Sequence, residues 1–164
     1  MQNYETESTG FDRVEMLLIG HFHLIIAYLR ARLYPKIQMA TLRLLSLAAA
    51  NRECVQDLSN IRPCSSLFLL MRDRKEALPL VLNTLIALSS NGQIVKEILE
   101  YGGLLYILSV FCSSEGDPGE RLQSAELLTK LQTDKLTGPR WTRFITKFLP
   151  PIFADALRDS PNTA

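Results

Sequence analysis

The chain has 164 residues, an apolar share of 47% and a net charge of +1. It is long enough for one domain or a piece of a longer one, and too apolar to be disordered throughout. Near-neutral charge removes the electrostatic case for a nucleic-acid partner.

Residues 1–10, MQNYETESTG, are polar and acidic, unlike a signal or transit peptide, and read as a disordered leader. Phe11 to about Leu33 reads as a long helix with Val14, Leu17, Leu18, Phe22, Ile25 and Leu29 along one side. Its most apolar run, Met16 to Leu29, contains His21 and His23. That run is shorter than the roughly 20 residues a bilayer span needs, so it reads as a packed helix. Pro35 ends it, because the residue before a proline is pushed out of helical geometry.

Lys36 to Ala50 reads as a second helix with Met39, Leu42, Leu44 and Leu45 inward. Asn51 is a stop and an N-cap for a short helix over Arg52 to Leu58. Pro63 opens another through Leu67, Leu70 and Met71. Arg72 to Glu76, RDRKE, is a charged turn. Ala77 to Ser90 is a long helix with Leu78, Val81, Leu82, Leu85 and Leu88 on one stripe. Pro79 is tolerated there because it falls in the first turn.

Asn91 to Phe111, NGQIVKEILEYGGLLYILSVF, organises the rest. Ile94, Val95, Ile98 and Leu99 form one apolar face, and Lys96, Glu97 and Glu100 fall on the other side. Gly102 and Gly103 permit the positive φ that ends a helix and turns the chain. A second face follows at Leu104, Ile107, Leu108 and Phe111. Ser113 to Gly119 is a solvated loop. Glu120 to Thr133 is a third long helix with Leu122, Ala125, Leu128 and Leu131 inward. Gly138 and Pro139 punctuate, and Arg140 to Leu149 and Ile152 to Leu157 are the last helices. No stretch alternates at period two long enough for a strand.

Two short amphipathic helices cannot bury such faces against each other alone; they need a third helix and neighbouring copies. The chain supplies these. LSLAAANRECVQDL from Leu45 lies over LIALSSNGQIVKEIL from Leu85, with Asn51 on Asn91, Val55 on Val95, Leu58 on Ile98 and Pro63 on Gly103. The offset, about 40 residues, is that of armadillo and HEAT arrays. A third copy starts at Glu120. The expected fold is therefore all-α, an armadillo/HEAT-like right-handed helical solenoid of about three repeats over residues 11–161. Residues 162–164 read as a tail.

The pattern N-x-x-I-V-x-x-I-L-x-x-G-G-L-x-x-I-L, Asn91 to Leu108, resembles the armadillo repeat. That resemblance implies binding of extended peptides along the groove of successive long third helices. In nuclear-import members the groove carries a Trp followed four residues on by an Asn. The corresponding places here are Arg43 and Leu47, Asn83 and Ala87, and Glu126 and Lys130. No copy has the Trp–Asn pair, so binding of basic import signals is not implied.

AELLTKLQTDKLTGP and KFLPPIFADALRDSP within Ala125 to Pro161, FDRVEMLL at Phe11 and LVLNTLIALSS at Leu80 are similar to the C-terminal part of a family of large endosomal J-domain proteins. These are the receptor-mediated endocytosis co-chaperones of the DnaJ homologue subfamily C member thirteen type. The resemblance implies a peripheral, cytoplasmic-face protein of early endosomes. Its partners would be sorting nexin, retromer and actin-nucleating components, with an Hsp70-class ATPase recruited through a J domain. Neither His21 nor His23 is followed by proline, so the His-Pro-Asp loop of a J domain is not here. The chain is expected to be a fragment, isoform or truncated paralogue of the helical scaffold.

Candidate chemistry weighs toward bland readings. His21 and His23 lie on different helix faces, so a shared metal site is disfavoured. Cys54, Cys64 and Cys112 have no CxxC spacing and an odd count, against a disulfide framework or zinc. Cys112 reads as a buried small hydrophobe. Glu115, Asp117 and Glu120 lack cation-loop spacing. Arg140, Arg143 and Lys147 share one side of a helix beside Trp141. They could take an acidic peptide or an anionic lipid head group, although a solvated face is the commoner outcome. No catalytic, metal or cofactor residue is expected. The protein-binding candidates are Arg43, Asn83, Glu126, Lys130, Arg140 and Arg143. The expected function is a non-catalytic interaction scaffold of an endosomal trafficking co-chaperone. The alternative is a stand-alone cytosolic armadillo adaptor. A small enzyme has least support, since no acid–base or nucleophile pair is visible.

Overall fold

The computed structural model describes residues 17–114, 116–135 and 138–148, except the side chains of 144–146 and 148. The leader at 1–10, the segment 11–16, Glu115, the expected helix Ile152 to Leu157 and the tail lie outside the described residues. Among the described residues there is helix, turn and bend but no strand.

Residues 17 and 18 are helical. The helices that follow are α1 Phe22–Leu29, α2 Pro35–Ala48, α3 Arg52–Ile61 and α4 Cys64–Asp73, then a single 3-10 turn Lys75–Ala77. After it come α5 Leu78–Leu88, α6 Gly92–Glu100, α7 Gly103–Phe111, α8 Pro118–Thr133 and α9 Gly138–Phe148.

Local chemistry sets most of these boundaries. Pro35 takes the first position of α2, where a missing N–H costs nothing. Asn51 caps α3, its Oδ1 accepting from Glu53 N at 2.8 Å and Cys54 N at 3.2 Å. Asn91 caps α6 in the same backbone geometry, φ −103° and ψ 122° against −94° and 126°, accepting from Gln93 N at 2.8 Å. Asp117 caps α8 through Gly119 N at 2.6 Å. Three left-handed residues, Gly20 (φ 83°), Arg62 (φ 60°) and Gly102 (φ 66°), turn the chain into α1, α4 and α7. They recur at intervals of about 40 residues.

Packing follows the same interval. The long helices α2, α5 and α8 pack in series, α5 between the other two, and α1, α4 and α7 form a second series. Hydrogen bonds between layers join residues 33 to 44 apart. Examples are Arg30 Nε to Ser66 Oγ, Arg74 Nε to Gln38 Oε1, Gln123 Nε2 to Asn83 Oδ1 and Lys130 Nζ to the Ile86 carbonyl. The shared core holds Phe22, Leu29, Leu42, Leu45, Leu58, Leu67, Leu82, Leu85, Leu88, Ile94, Ile98 and Leu104, all fully buried. Gly103 is required by space rather than by φ. A Cβ there would overlap the Phe68 ring and sit 2.9 Å from the Ile98 carbonyl.

Several expectations need correction. The long first helix is interrupted: Gly20 adopts a positive φ, residues 19–21 turn, and helix resumes at Phe22. Leu17, expected inward, is 74% exposed. Phe111 is exposed where the stripe of α7 pointed inward, and Leu108 is only partly buried. On α8, Leu122 is 73% exposed and Ala125 half-buried, while Ser124 and Leu127 are buried with Leu128 and Leu131. The inward stripe is thus rotated, because α8 must meet both α5 and α7 and these cover a different sector. Cys112 is exposed past the end of α7, not buried; Cys54 and Cys64 are the buried thiols. Arg72 and Asp73 still belong to α4, so the charged turn starts at Arg74. Helix α8 begins at Pro118, inside the expected loop.

Candidate functional site

The long helices place the sequence-derived candidates on their outward sides. Arg43 on α2, Asn83 on α5, and Glu126 and Lys130 on α8 are all exposed. The last three are brought together. Gln123 Nε2 donates to Asn83 Oδ1 at 2.9 Å across the α5–α8 seam. Lys130 Nζ donates to the Ile86 carbonyl at 3.3 Å and lies 3.8 Å from Glu126 Oε1. These contacts hold the strip's shape, and its amide, acid and ammonium groups can each bind a polypeptide. No hydrogen bond or ion pair among the described residues joins Arg43 to this group. Leu47, one turn from Arg43, and Leu122, one turn before Glu126, add exposed apolar surface on α2 and α8.

Arg140, Arg143 and Lys147 are exposed on α9, which packs against α8. Trp141 is buried, so it fastens α9 to the body and is not a partner for a ligand beside the arginines. His21 and His23 are both exposed. Among the described residues, no group of three His, Cys, Asp or Glu could hold a metal. No described helix is long and apolar enough to cross a membrane.

One charged position was misread from sequence. Helical spacing puts Glu97 on the polar side of α6, yet it is buried, and its Oε1 accepts from Cys64 N at 2.9 Å. It therefore caps α4 from the next layer. The signal lay elsewhere in the chain: α4 is preceded by Pro63, which has no side-chain acceptor to offer, so its first N–H groups need a distant carboxylate. Burial raises the Glu97 carboxyl above the usual range, partly countered by the bond from Cys64 N. The buried Cys64 thiol is pushed far up, first by desolvation and then by the neighbouring Glu97 charge, so it is held as an inert thiol. Arg62, at the left-handed turn before α4, pairs with Glu100 and lies 5.2 Å over the Tyr101 ring.

Among curated proteins, the chain is 26% identical over 194 aligned positions to DnaJ homolog subfamily C GRV2 of Arabidopsis thaliana. The alignment covers 99% of this chain and 8% of that protein. The chain thus spans about a twelfth of the relative's length, and the match is a distant link to a DnaJ subfamily C protein. No protein-family profile matches the chain, and no solved structure does.

Proposed function

We propose that this chain is a non-catalytic, protein-binding scaffold segment of an endosomal trafficking co-chaperone, built as an armadillo-like right-handed solenoid of about three repeats. The observation that carries the reading is the serial stacking of α2, α5 and α8, with capping, left-handed turns and interlayer bonds recurring about every 40 residues. Such a stack offers one side of every long helix to a partner, and Arg43, Asn83, Glu126 and Lys130 stand on that side. The distant similarity to a DnaJ subfamily C protein supports the co-chaperone setting. In this reading the segment works at the cytoplasmic face of early endosomes. It engages sorting nexin, retromer or actin-nucleating components, while Hsp70 is recruited by a J domain outside this sequence.

The test is binding of the purified chain to purified retromer and sorting-nexin complexes. Reversing Arg43 and Lys130 to Glu, or Arg140 and Arg143 to Glu, should weaken capture while the chain stays helical by circular dichroism. Absence of binding to any of these complexes, or capture indifferent to both reversals, would remove this reading.

A further inference from the structure

The first helices of adjacent layers are splayed. While α2 packs on α5 and α4 on α7, α3 and α6 approach less closely, bridged at one end by Asn91 Nδ2 donating to Gln56 Oε1 at 3.3 Å. A cleft of about 950 Å³ opens between them and continues into a smaller one of about 310 Å³, the two sharing Gln93 and Lys96. This cleft lies along the first helices, away from the strip on the long helices.

We propose that the α3–α6 cleft receives an extended acidic segment of a partner protein. Charge and shape both argue for that occupant. One wall is the stripe Arg52, Gln56 and Asn60, spaced at i, i+4 and i+8 on α3; the other is Gln93 and Lys96 on α6. The carboxylates of α3 stay out of it. Glu53 and Asp57 line neither part of the cleft, and Asp57 Oδ2 instead accepts from Gly20 N at 2.7 Å on the side of the preceding layer.

Two carboxylates reach the narrow end. Glu97 is buried and committed to Cys64 N. Glu100 is shared between Arg62 and Lys96, whose Nζ lies 3.7 Å away. The two carboxylates there balance Arg62 and Lys96, and Arg52, with no ion pair or hydrogen bond among the described residues, leaves the cleft one positive charge. Arg52 is also placed against its own helix: a cation at the first position of α3 opposes the helix dipole.

The amides of Asn60 and Gln93 can donate to and accept from an extended backbone, Gln56 can donate through Nε2 while its Oε1 accepts from Asn91 Nδ2, and Val55 and Ala49 give an apolar floor. The ten residues of α3 run for about 15 Å, the length of roughly four or five extended residues.

The experiment is fluorescence anisotropy of the full chain with a fluorescein-labelled peptide of alternating Asp and Ala, against the same peptide with Asn for Asp. The Asp peptide should bind in a salt-sensitive manner and the Asn peptide should not. The pair Arg52→Glu and Lys96→Glu should lower affinity at least about tenfold, since both charge-assisted contacts become repulsive. The pair Arg43→Glu and Lys130→Glu, on the long helices, should leave it unchanged, so failure here is distinguishable from failure of the scaffold reading. Should the double reversal unfold the chain by circular dichroism, Arg52→Gln alone removes one charge and should still weaken binding. Equal binding of both peptides, unchanged affinity in the folded cleft variants, or loss in the long-helix pair would each overturn the proposal. So would full displacement by inorganic phosphate or by anionic phosphatidylserine vesicles, which would make the occupant a small anion or a membrane. Sedimentation showing a dimer that excludes the peptide would assign the cleft to a second copy.

Discussion

Glu97 couples folding to protonation. In the unfolded chain its carboxyl titrates in the ordinary glutamate range; in the fold, burial holds it higher. The native state therefore binds more protons than the unfolded state between those two values. The contribution of Glu97 is fully present below the unfolded value and falls as pH rises through the folded one. Glu97→Gln keeps an oxygen that can accept from Cys64 N but cannot ionise. The urea midpoint of the native chain should thus decline more steeply than that of the variant as pH goes from about 4 to 7. Parallel profiles would mean that Glu97 is solvated. Gly103 makes a steric counterpart. Gly103→Ala drives a methyl into Phe68 and should cost about 1–3 kcal/mol, whereas Gly102→Ala meets open space and bears only the left-handed penalty of about 1 kcal/mol. Both are read from denaturation midpoints, and a costlier Gly102 change would reverse the roles assigned to the two glycines.

The helices show what sequence can and cannot convey. Asn51, Asn91, Pro35, Pro63 and the glycine pair act on their immediate neighbours, so their places were legible. Asn51→Ala and Asn91→Ala should each destabilise by about 1 kcal/mol. Their thermal shifts should be alike, because the two caps sit in nearly the same backbone geometry. If only one shift appears, the two helix starts are not equivalent. The apolar stripes were legible to within a rotation. In α8 the choice between Leu122 and Leu127 depends on which neighbours cover the helix, and that is a property of α5 and α7. Phe111 was misassigned for the same reason. Gly20 was unreadable in a run of apolar residues at helical spacing, where a lone glycine is tolerated. Of the candidate strip, the outward position of Asn83 followed from the resemblance of the long helices to the armadillo groove. Its bond to Gln123 did not, because side chains about 40 residues apart meet only once the layers are stacked.

Long helices packed in series, α2 on α5 and α5 on α8, distribute stability along the series. Helix α5 is flanked by α2 on one side and α8 on the other, and it carries Val81, Leu82, Leu85 and Leu88, all fully buried. At the first layer, Leu24, Tyr28, Leu33 and Tyr34 are exposed, so among the described residues α1 and the start of α2 are covered on one side only. Amide hydrogen exchange followed by mass spectrometry should therefore show greatest protection in α5 and in the parts of α2 and α8 against it, with protection declining toward α1. Leu85→Ala should cost about 2–5 kcal/mol and raise exchange in α2 and α8 together, since it loosens both seams of the central helix. Leu122→Ala, on the exposed side of α8, should leave all three unchanged. If Leu85→Ala loosened α5 alone, the long helices would not be mechanically continuous. Their outward sides could not then act as one binding surface, because a partner spanning α2, α5 and α8 would itself have to bear the ordering cost of aligning them.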